Sequence, residues 1–208
     1  MDNPGTLDTE FRPGTVVVIG LPSDENSSFM RGAALAPARI RGALTSGSMN
    51  LHAENGTDLA AESRLRDLGD LELTEGPAML GQVSEAVAQL LARDARVLAL
   101  GGDHAITYPI LRAYGARYDN LSILDFDAHP DLYDEYGGSR HSHACPFARI
   151  MEDYPALRLV QVGVRAANPH QRAQAERFGV ELAEVSEWQD GFAPDLEGPV
   201  YISLDLDV

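Results

Sequence analysis

Apolar residues along the chain form short runs that alternate with stretches of helical spacing. The run TVVVIG (15–20) is β-branched and is closed by Gly-Leu-Pro, which predicts a buried strand followed by a loop. Between Met79 and Arg93, apolar positions keep the helical period and predict the clearest amphipathic helix. Further strands are predicted at 67–73, 96–102, 121–127, 158–163 and 199–207, and further helices at 37–44, 108–117, 144–153 and 169–178.

The order of these elements predicts the fold class. Strands alternate with helices and are apolar along most of their length, as in sheets that helices cover on both faces. The expectation is an α/β chain with a largely parallel sheet. A length of 208 residues fits a single domain spanning residues 1–208.

Composition and charge restrict the classes of molecule that the protein is expected to bind and the compartment in which it is expected to work. A formal net charge of -16 argues against nucleic acid and anionic membranes, which need clustered basic side chains, and suits a cationic substrate or a metal ion. The acidic start MDNPGTLDTE lacks the pattern of a secretory signal, and the apolar run that follows is too short to span a membrane. Cys145 is the only cysteine, so no intrachain disulfide can form. A cytoplasmic protein is therefore expected.

Three predicted strands end in residues that bind metal ions. RVLALGG leads into Asp103 and His104, ILDFD leads into D-A-H-P-D (127–131), and YISLD leads into D-L-D (205–207). Ligands of α/β sheets bind beyond the carboxyl ends of the strands. In extended chain, spacing of two residues places Asp127, His129 and Asp131 on one side, and likewise Asp205 and Asp207. The three clusters are expected to converge, with Asp125 and Asp103 in supporting roles.

The chemistry of these clusters favours two metal ions. Buried carboxylates need compensating positive charge, and Lys and Arg are absent from all three clusters. A mixed set of histidine and carboxylate ligands suits a metal such as Mn²⁺. Two ions sharing carboxylates would acidify a water and so supply the nucleophile of a hydrolase. Taken alone, His104 also fits a hydrogen-bonded loop histidine, and Asp205 with Asp207 fits a strand end or helix cap.

The motifs resemble those of a known family. GGDHAI (101–106), DFDAHPD (125–131), SRHSHACPF (139–147) and SLDLD (203–207) are similar to the signature blocks of the ureohydrolases, which include arginase, agmatinase, formiminoglutamase and guanidinobutyrase. The resemblance begins at SSFMRGAALAPARIRGAL (27–44) and runs to the last residue. It is strongest for the branch that holds plant-type arginases and agmatinase-like proteins.

The resemblance implies a three-layer α/β/α fold with a mostly parallel central sheet and a binuclear Mn²⁺ site, and it assigns the residues of that site. It implies one ion held by His104, Asp127, Asp131 and Asp205, and the other by Asp127, His129, Asp205 and Asp207. Water activated between the ions would attack a guanidinium carbon and release urea and a primary amine. Asp131 would orient this nucleophile and pass on its proton, and His143 would shuttle protons or orient the substrate. A homo-oligomer, trimer or hexamer, is also implied.

Two departures from the family pattern concern the substrate and the length. Animal and bacterial arginases have an Asn that recognises the α-carboxylate where this chain has Tyr133, as agmatinases commonly show and plant-type arginases share. Agmatine, cleaved to putrescine, is therefore the predicted substrate, with arginine or guanidinobutyrate and formiminoglutamate as alternatives. The family pattern continues past the position of Val208, so the C-terminal part of the fold is expected to be missing and the chain to be part of a longer protein.

Other interpretations of the same residues remain open. His141 is a weaker candidate for the role of His143, and Cys145 is a weak candidate nucleophile, expected instead to be a small buried residue that opens a helix. A chain lacking the guanidinium-binding segment could be a non-catalytic scaffold or interaction subunit. A deacetylase-like or phosphoester metallohydrolase is a third possibility, although such sites use other ligand spacings and phosphate needs a basic cluster.

Overall fold

The structure, a computed structural model, describes residues 11–186 and 193–208. Between residues 16 and 184, strands and helices alternate as expected for the α/β class. The strands are β1 (Val16–Leu21), β2 (Leu65–Asp70), β3 (Arg96–Gly101), β4 (Ser122–Phe126), β5 (Arg158–Val164), β6 (Glu181–Glu184) and β7 (Val200–Leu204), and the helices are α1 (Ala36–Leu44), α2 (Ala78–Leu91), α3 (Thr107–Arg117), α4 (Pro146–Asp153) and α5 (Pro169–Phe178).

Every pairing between these strands is parallel, which confirms the predicted α/β class. The strands form two sheets, of order β2-β1-β3 and β6-β5-β4-β7, where a single central sheet was expected. In parallel sheets the carboxyl ends of neighbouring strands lie at one edge, so β3, β4 and β7 direct the residues that follow them to the same side of their sheets. The predicted domain of residues 1–208 includes 1–10 and 187–192, which lie outside the described residues.

A layer of helices joins the two sheets. Helix α2 packs on α3, and α3 packs on α4. The core beneath α2 is built from buried residues such as Ile19 and Val83, and the core beneath α4 from residues such as Ile123 and Phe147. Tyr201 packs against both cores and meets the ring of Tyr114 at 5.2 Å between centroids. Aromatic contact at the inner edge of β7 therefore links the two halves.

The predicted elements differ from the observed ones mainly at their ends. Helix α5 begins where predicted because Asn168 and Gln171 form a capping box around Pro169, and it ends at Gly179, whose φ of 68° allows a left-handed cap. Strand β2 covers 65–70, earlier than the predicted 67–73, and the short strand β6 was not predicted. Strand β7 ends at Leu204, although the apolar run predicted extended chain to residue 207.

One face of β7 carries exposed apolar side chains. Ile202 and Leu204 keep 62% and 61% of their surfaces exposed, and Leu206 just beyond keeps 82%. Ser203, on the opposite face, is buried. None of the helices among the described residues is long and apolar enough to cross a membrane.

Gly102 permits a close approach between two loops. A Cβ at this position would lie 1.8 Å from the carbonyl oxygen of Ser23. Ser23 also accepts a hydrogen bond from the backbone N–H of Asp103, at 2.8 Å. The turn after β3 and the segment after β1 therefore touch through their backbones, and neither can move away without losing that bond.

We expect Gly102→Ala to destabilise the protein by about 1–3 kcal/mol, because the backbone of Ser23 must shift to admit the methyl group. Gly81→Ala is the matched control, since a Cβ at Gly81 meets open space in the middle of α2. A helical Gly→Ala change there should stabilise by about 0.5–1 kcal/mol. Urea unfolding of both variants measures the difference, and equal stability of the two would contradict the steric explanation.

Candidate metal centre

Three segments of the chain meet at the carboxyl ends of β3, β4 and β7. His104 begins a short 3-10 turn that follows β3. Residues 127–131 follow β4, and residues 205–207 follow β7. Two backbone hydrogen bonds fasten the latter segments to the sheet, from the N–H of Asp127 to Val162 O and from the N–H of Asp205 to Phe126 O. The parallel topology thus brings distant parts of the sequence to one place.

A buried group of side chains surrounds His104. Its Nδ1 atom lies 2.9 Å from Asp131 Oδ2, 3.2 Å from Asp127 Oδ2 and 3.8 Å from Asp205 Oδ2. The side chains of His104, Asp127 and Asp131 are each less than a tenth exposed. Ligand atoms of these three residues are close enough together to hold one metal ion.

A second, more open group shares Asp127. The Nδ1 atom of His129 lies 3.4 Å from Asp127 Oδ1 and 3.3 Å from Asp207 Oδ2. About half of the His129 and Asp207 side chains is exposed, and Asp205 is about a third exposed. All six side chains predicted as metal ligands therefore lie together, in two groups joined by the Asp127 carboxylate.

The predicted conformation of two of these segments is wrong. Extended chain through residues 127–131 and 205–207 was expected, but β4 ends at Phe126 and β7 ends at Leu204. Asp127 and Asp205 instead accept hydrogen bonds from backbone N–H groups two residues on, those of His129 and Asp207. These side-chain turns compete with extended structure at strand ends. Asp131 adopts φ 47°, in the left-handed region.

A row of buried polar side chains supports the cluster from below. Asp125 on β4 is in register with Gln161 on β5 and Ser203 on β7, so the three side chains share one face. Gln161 Nε2 donates to Asp125 Oδ2 at 2.9 Å. Ser203 Oγ lies 3.0 Å from His104 Nε2. This contact holds the ring of His104 with Nδ1 towards the carboxylates. The supporting role of Asp125 stays a prediction.

Burial perturbs the ionisation of the cluster. It raises the pKa of Asp125 to about 7 and also raises the pKa of Asp131. Burial alone would lower the pKa of His104, but the carboxylates of Asp127 and Asp131 raise it well above the usual value. Asp103 also has a pKa raised by burial. The raised pKa values of Asp125, Asp131 and His104 therefore favour the protonated forms of these three groups.

The donor set fits a pair of divalent cations. Among the described residues, Asp125 Oδ1 and Asp127 Oδ2 are buried side-chain oxygens without a hydrogen-bond partner. A buried carboxylate oxygen in that state is costly unless a cation compensates it. Imidazole nitrogen together with carboxylate oxygen matches the preferences of Mn²⁺ and related borderline metals.

Other candidate residues lie in the loop between β4 and α4. His143 Nε2 is 2.8 Å from Ser28 Oγ, and its backbone N–H donates to Asn26 O. His141 stacks on Tyr108 at 5.6 Å between centroids, and burial lowers its pKa. Cys145 is buried at the start of α4, and burial raises the pKa of its thiol to about 11, which argues against a thiolate nucleophile.

Tyr133 lies two residues beyond Asp131 and is fixed by its neighbours. Its hydroxyl oxygen accepts a hydrogen bond from Asn168 Nδ2 at 2.6 Å. Its ring stacks on His170 with 5.5 Å between centroids. Asn168 Oδ1 is already bound to the N–H of Gln171 at the start of α5, so the amide is held at both ends. The phenol O–H of Tyr133 can therefore still donate a hydrogen bond to another group.

Sequence patterns gave no role to several residues that shape this centre. Gln161 and Ser203 stand out only as polar residues inside apolar strands, RLVQVG and YISLD. That signal identifies a buried polar contact but not its partner. Ser28 precedes an exposed Phe-Met pair and shows no pattern by itself. Its contact with His143 spans 115 residues and depends on the fold.

Comparison with known proteins gives a consistent result. A family model described as "Arginase family" matches residues 14–208. The chain is 41% identical to "Arginase 1, mitochondrial" of Arabidopsis thaliana. The matched region covers 91% of this chain and 60% of that relative. It is 32% identical to an agmatinase of Bacillus cereus, covering 95% of this chain and 69% of the relative.

A solved structure shows the same fold. The arginase from Medicago truncatula superposes with a TM-score of 0.77 at 39% sequence identity. The match covers 82% of this chain and 57% of that structure. The chain thus spans about 60% of the length of the plant relatives it matches.

The pKa shifts predict how metal-free protein responds to pH. Asp125 ionises near its usual pKa of about 4 when unfolded and near 7 when folded, so it destabilises the fold increasingly as pH rises between about 4 and 7. His104 acts in the same direction, because its stabilising contribution is lost as pH rises through its raised folded pKa. We expect the Tm in EDTA to fall between about pH 5 and pH 8.

Mn²⁺ should reverse this trend, because ligand binding displaces protons and strengthens as pH rises. Differential scanning fluorimetry with EDTA or Mn²⁺ measures the gain in Tm, at roughly 2–4 °C for each kcal/mol of stabilisation. Asp119→Asn, a change at an exposed carboxylate, is the control and should behave as wild type. An equal Mn²⁺ gain at both ends of the pH range would contradict the assignment.

Proposed function

Because the chain belongs to the arginase family, we propose that this centre holds two divalent cations and hydrolyses the guanidino group of a small molecule to urea and a primary amine. The observation that carries the proposal is the Asp127 carboxylate, which is buried and shared by two groups of ligand atoms, with Oδ2 3.2 Å from His104 Nδ1 and Oδ1 3.4 Å from His129 Nδ1. A carboxylate shared in this way suits a site for two cations.

The residues divide into holding and proton-handling roles. His104, Asp131, Asp127 and Asp205 would hold one ion, and His129 and Asp207 would hold the other together with Asp127 and Asp205. Bound Mn²⁺ supplies an acidified water and positive charge beside the reacting carbon. Ser203 keeps the ring of His104 turned towards the carboxylates.

Asp131 and His143 are the proposed proton-handling groups. Asp131 would orient the attacking water and take up its proton, since its carboxylate is buried and has a raised pKa. His143 would deliver a proton to the leaving amine, which must become a neutral amine or ammonium group when the carbon–nitrogen bond breaks. Its loop lies beside Asn26 and Ser28, and His143 interacts electrostatically with the buried carboxyl group of Asp131.

Arginine is the first substrate to test. The plant arginases in the comparison are more similar to this chain, at 41% identity, than the Bacillus cereus agmatinase at 32%. Tyr133, held by Asn168, has an O–H that could donate to a carboxylate such as that of arginine. These observations weigh against the agmatine preference predicted from the sequence. Agmatine remains the second candidate because of the strongly acidic chain and the agmatinase relatives.

The cytoplasmic location and the homo-oligomer stay predictions. Several of the plant relatives are named as mitochondrial or chloroplastic proteins, so similarity does not favour the cytoplasm. Sedimentation of the complete encoded protein would measure its assembly.

Asp127→Asn provides the direct test of activity. In the complete encoded protein loaded with Mn²⁺, we expect urea release from arginine or agmatine, and a loss of at least about 100-fold in kcat/KM in the variant, because both ligand groups lose a charged oxygen. Bound manganese should fall in parallel. Asp119→Asn, an exposed carboxylate, is the matched control.

The outcome that would contradict the proposal is equally clear. Folded protein with bound manganese that releases no urea from arginine, agmatine or guanidinobutyrate would favour the non-catalytic scaffold instead. Activity that survives Asp127→Asn at the wild-type level would place the chemistry elsewhere.

A further inference from the structure

A hydrogen bond joins His143 to a residue from a distant loop. Ser28 Oγ lies 2.8 Å from His143 Nε2, across a separation of 115 residues. Ser28 belongs to the segment between β1 and α1, whereas His143 belongs to the loop between β4 and α4. We propose that Ser28 is a positioning residue that fixes the imidazole of His143 for proton delivery to the leaving amine. This inference rests on the proposed ureohydrolase function.

The segment that carries Ser28 is fastened at several points. Asp103 Oδ2 accepts hydrogen bonds from the backbone N–H of Asn26 and from Ser27 Oγ, both at 3.1 Å. The backbone N–H of Asp103 donates in turn to Ser23 O. Asp103 directly precedes His104, so the segment is tied to the same strand end as the buried part of the metal centre. Ser28 is thereby presented from a fixed backbone.

The same segment also holds the backbone of His143. The N–H of His143 donates to Asn26 O at 3.2 Å, two residues before the serine that contacts its ring. Tyr136 meets the imidazole edge-on, with 6.4 Å between ring centroids. Main chain and ring of His143 are therefore both held by residues 26–28, and ring rotation is restricted on another side. An arrangement that holds both ends of a side chain sets its orientation.

A hydroxyl group suits a histidine that must gain and lose a proton. Neutral imidazole has one nitrogen that donates and one that accepts, whereas the protonated ring donates from both. If Nε2 keeps its proton and donates it to Ser28 Oγ, the serine oxygen accepts this hydrogen bond in both the neutral and the protonated state. With Nε2 committed to Ser28, Nδ1 is the nitrogen that gains and loses the exchanged proton. A carboxylate in place of Ser28 would favour the protonated state.

Because Ser28 is exposed, a role in positioning His143 can be distinguished by experiment from a role in stabilising the fold. Ser28 is exposed, and the residue after it, Phe29, keeps 93% of its surface exposed. Removing a hydroxyl at such a position changes little buried area, so the free energy of unfolding should hardly respond. An effect of the substitution on turnover would therefore arise from the orientation of His143.

The test compares Ser28→Ala with Ser28→Thr in the complete encoded protein loaded with Mn²⁺. We expect Ser28→Ala to lower kcat for urea release by about 10- to 100-fold, with KM within about twofold of wild type, because substrate binding is unchanged. Manganese content and Tm should stay at wild-type values. Ser28→Thr keeps the hydroxyl and should recover most of kcat. Ser46→Ala, which removes another exposed serine hydroxyl, is the matched control.

A double variant decides whether Ser28 acts through His143. If it does, His143→Ala combined with Ser28→Ala should be no slower than His143→Ala alone, since the group to be positioned is already gone. Multiplying losses would overturn the inference, and so would a wild-type kcat in Ser28→Ala or a rise in KM at constant kcat. Wild-type protein that releases no urea would overturn the proposed function as well, whereas an active wild type with an unaffected Ser28→Ala overturns this inference alone.

Discussion

The structure depends on placing several carboxylates where water cannot solvate them. Asp125, Asp127 and Asp131 are almost fully buried, and His104 is the basic group in their midst. Burial raises the pKa of Asp125 and Asp131, and Asp125 Oδ1 has no hydrogen-bond partner within residues 11–186 and 193–208. Divalent cations in the proposed site would compensate these carboxylates, because such ions supply charge and coordination at once. The loops at the ends of β3, β4 and β7 together carry the residues that need this compensating positive charge.

The fold meets that requirement through parallel strands and a polar row. Strand β4 lies between β5 and β7, and register places Gln161 and Ser203 on either side of Asp125. Ser203 then fixes His104, which arrives from the other sheet after β3. The loop segment at residues 23–28, held through Asp103, extends the same fixed geometry to His143. The sheets therefore hold the buried ligands in place, and the hydrogen bonds of Asp103 with residues 26 and 27 connect these ligands to the loop segment that contacts His143.

Much of this arrangement could be predicted because it rests on local sequence patterns. The apolar runs before Asp103, Asp127 and Asp205 identify strands, and parallel topology brings their ends together. The conformation of the loops could not be predicted in the same way. Alternation suggested extended chain through Asp131, whereas side-chain turns at Asp127 and Asp205 and a left-handed Asp131 shape the observed path. Such side-chain turns form only where the strand has ended. The points at which β4 and β7 end depend on the strands with which they pair.

Contacts between distant segments could not be predicted from sequence patterns, for a different reason. The partners of Gln161, Ser203 and Ser28 are set by strand register and loop packing, neither of which periodicity encodes. The same contacts explain why the centre is uneven: the His104 side is enclosed by the helices and the polar row, whereas His129 and Asp207 are about half exposed. A substrate of the proposed hydrolase would approach from the open side, because the ligands around His104 are buried. The orientation of His143, which Asn26 and Ser28 hold, is then a further requirement of the proposed chemistry.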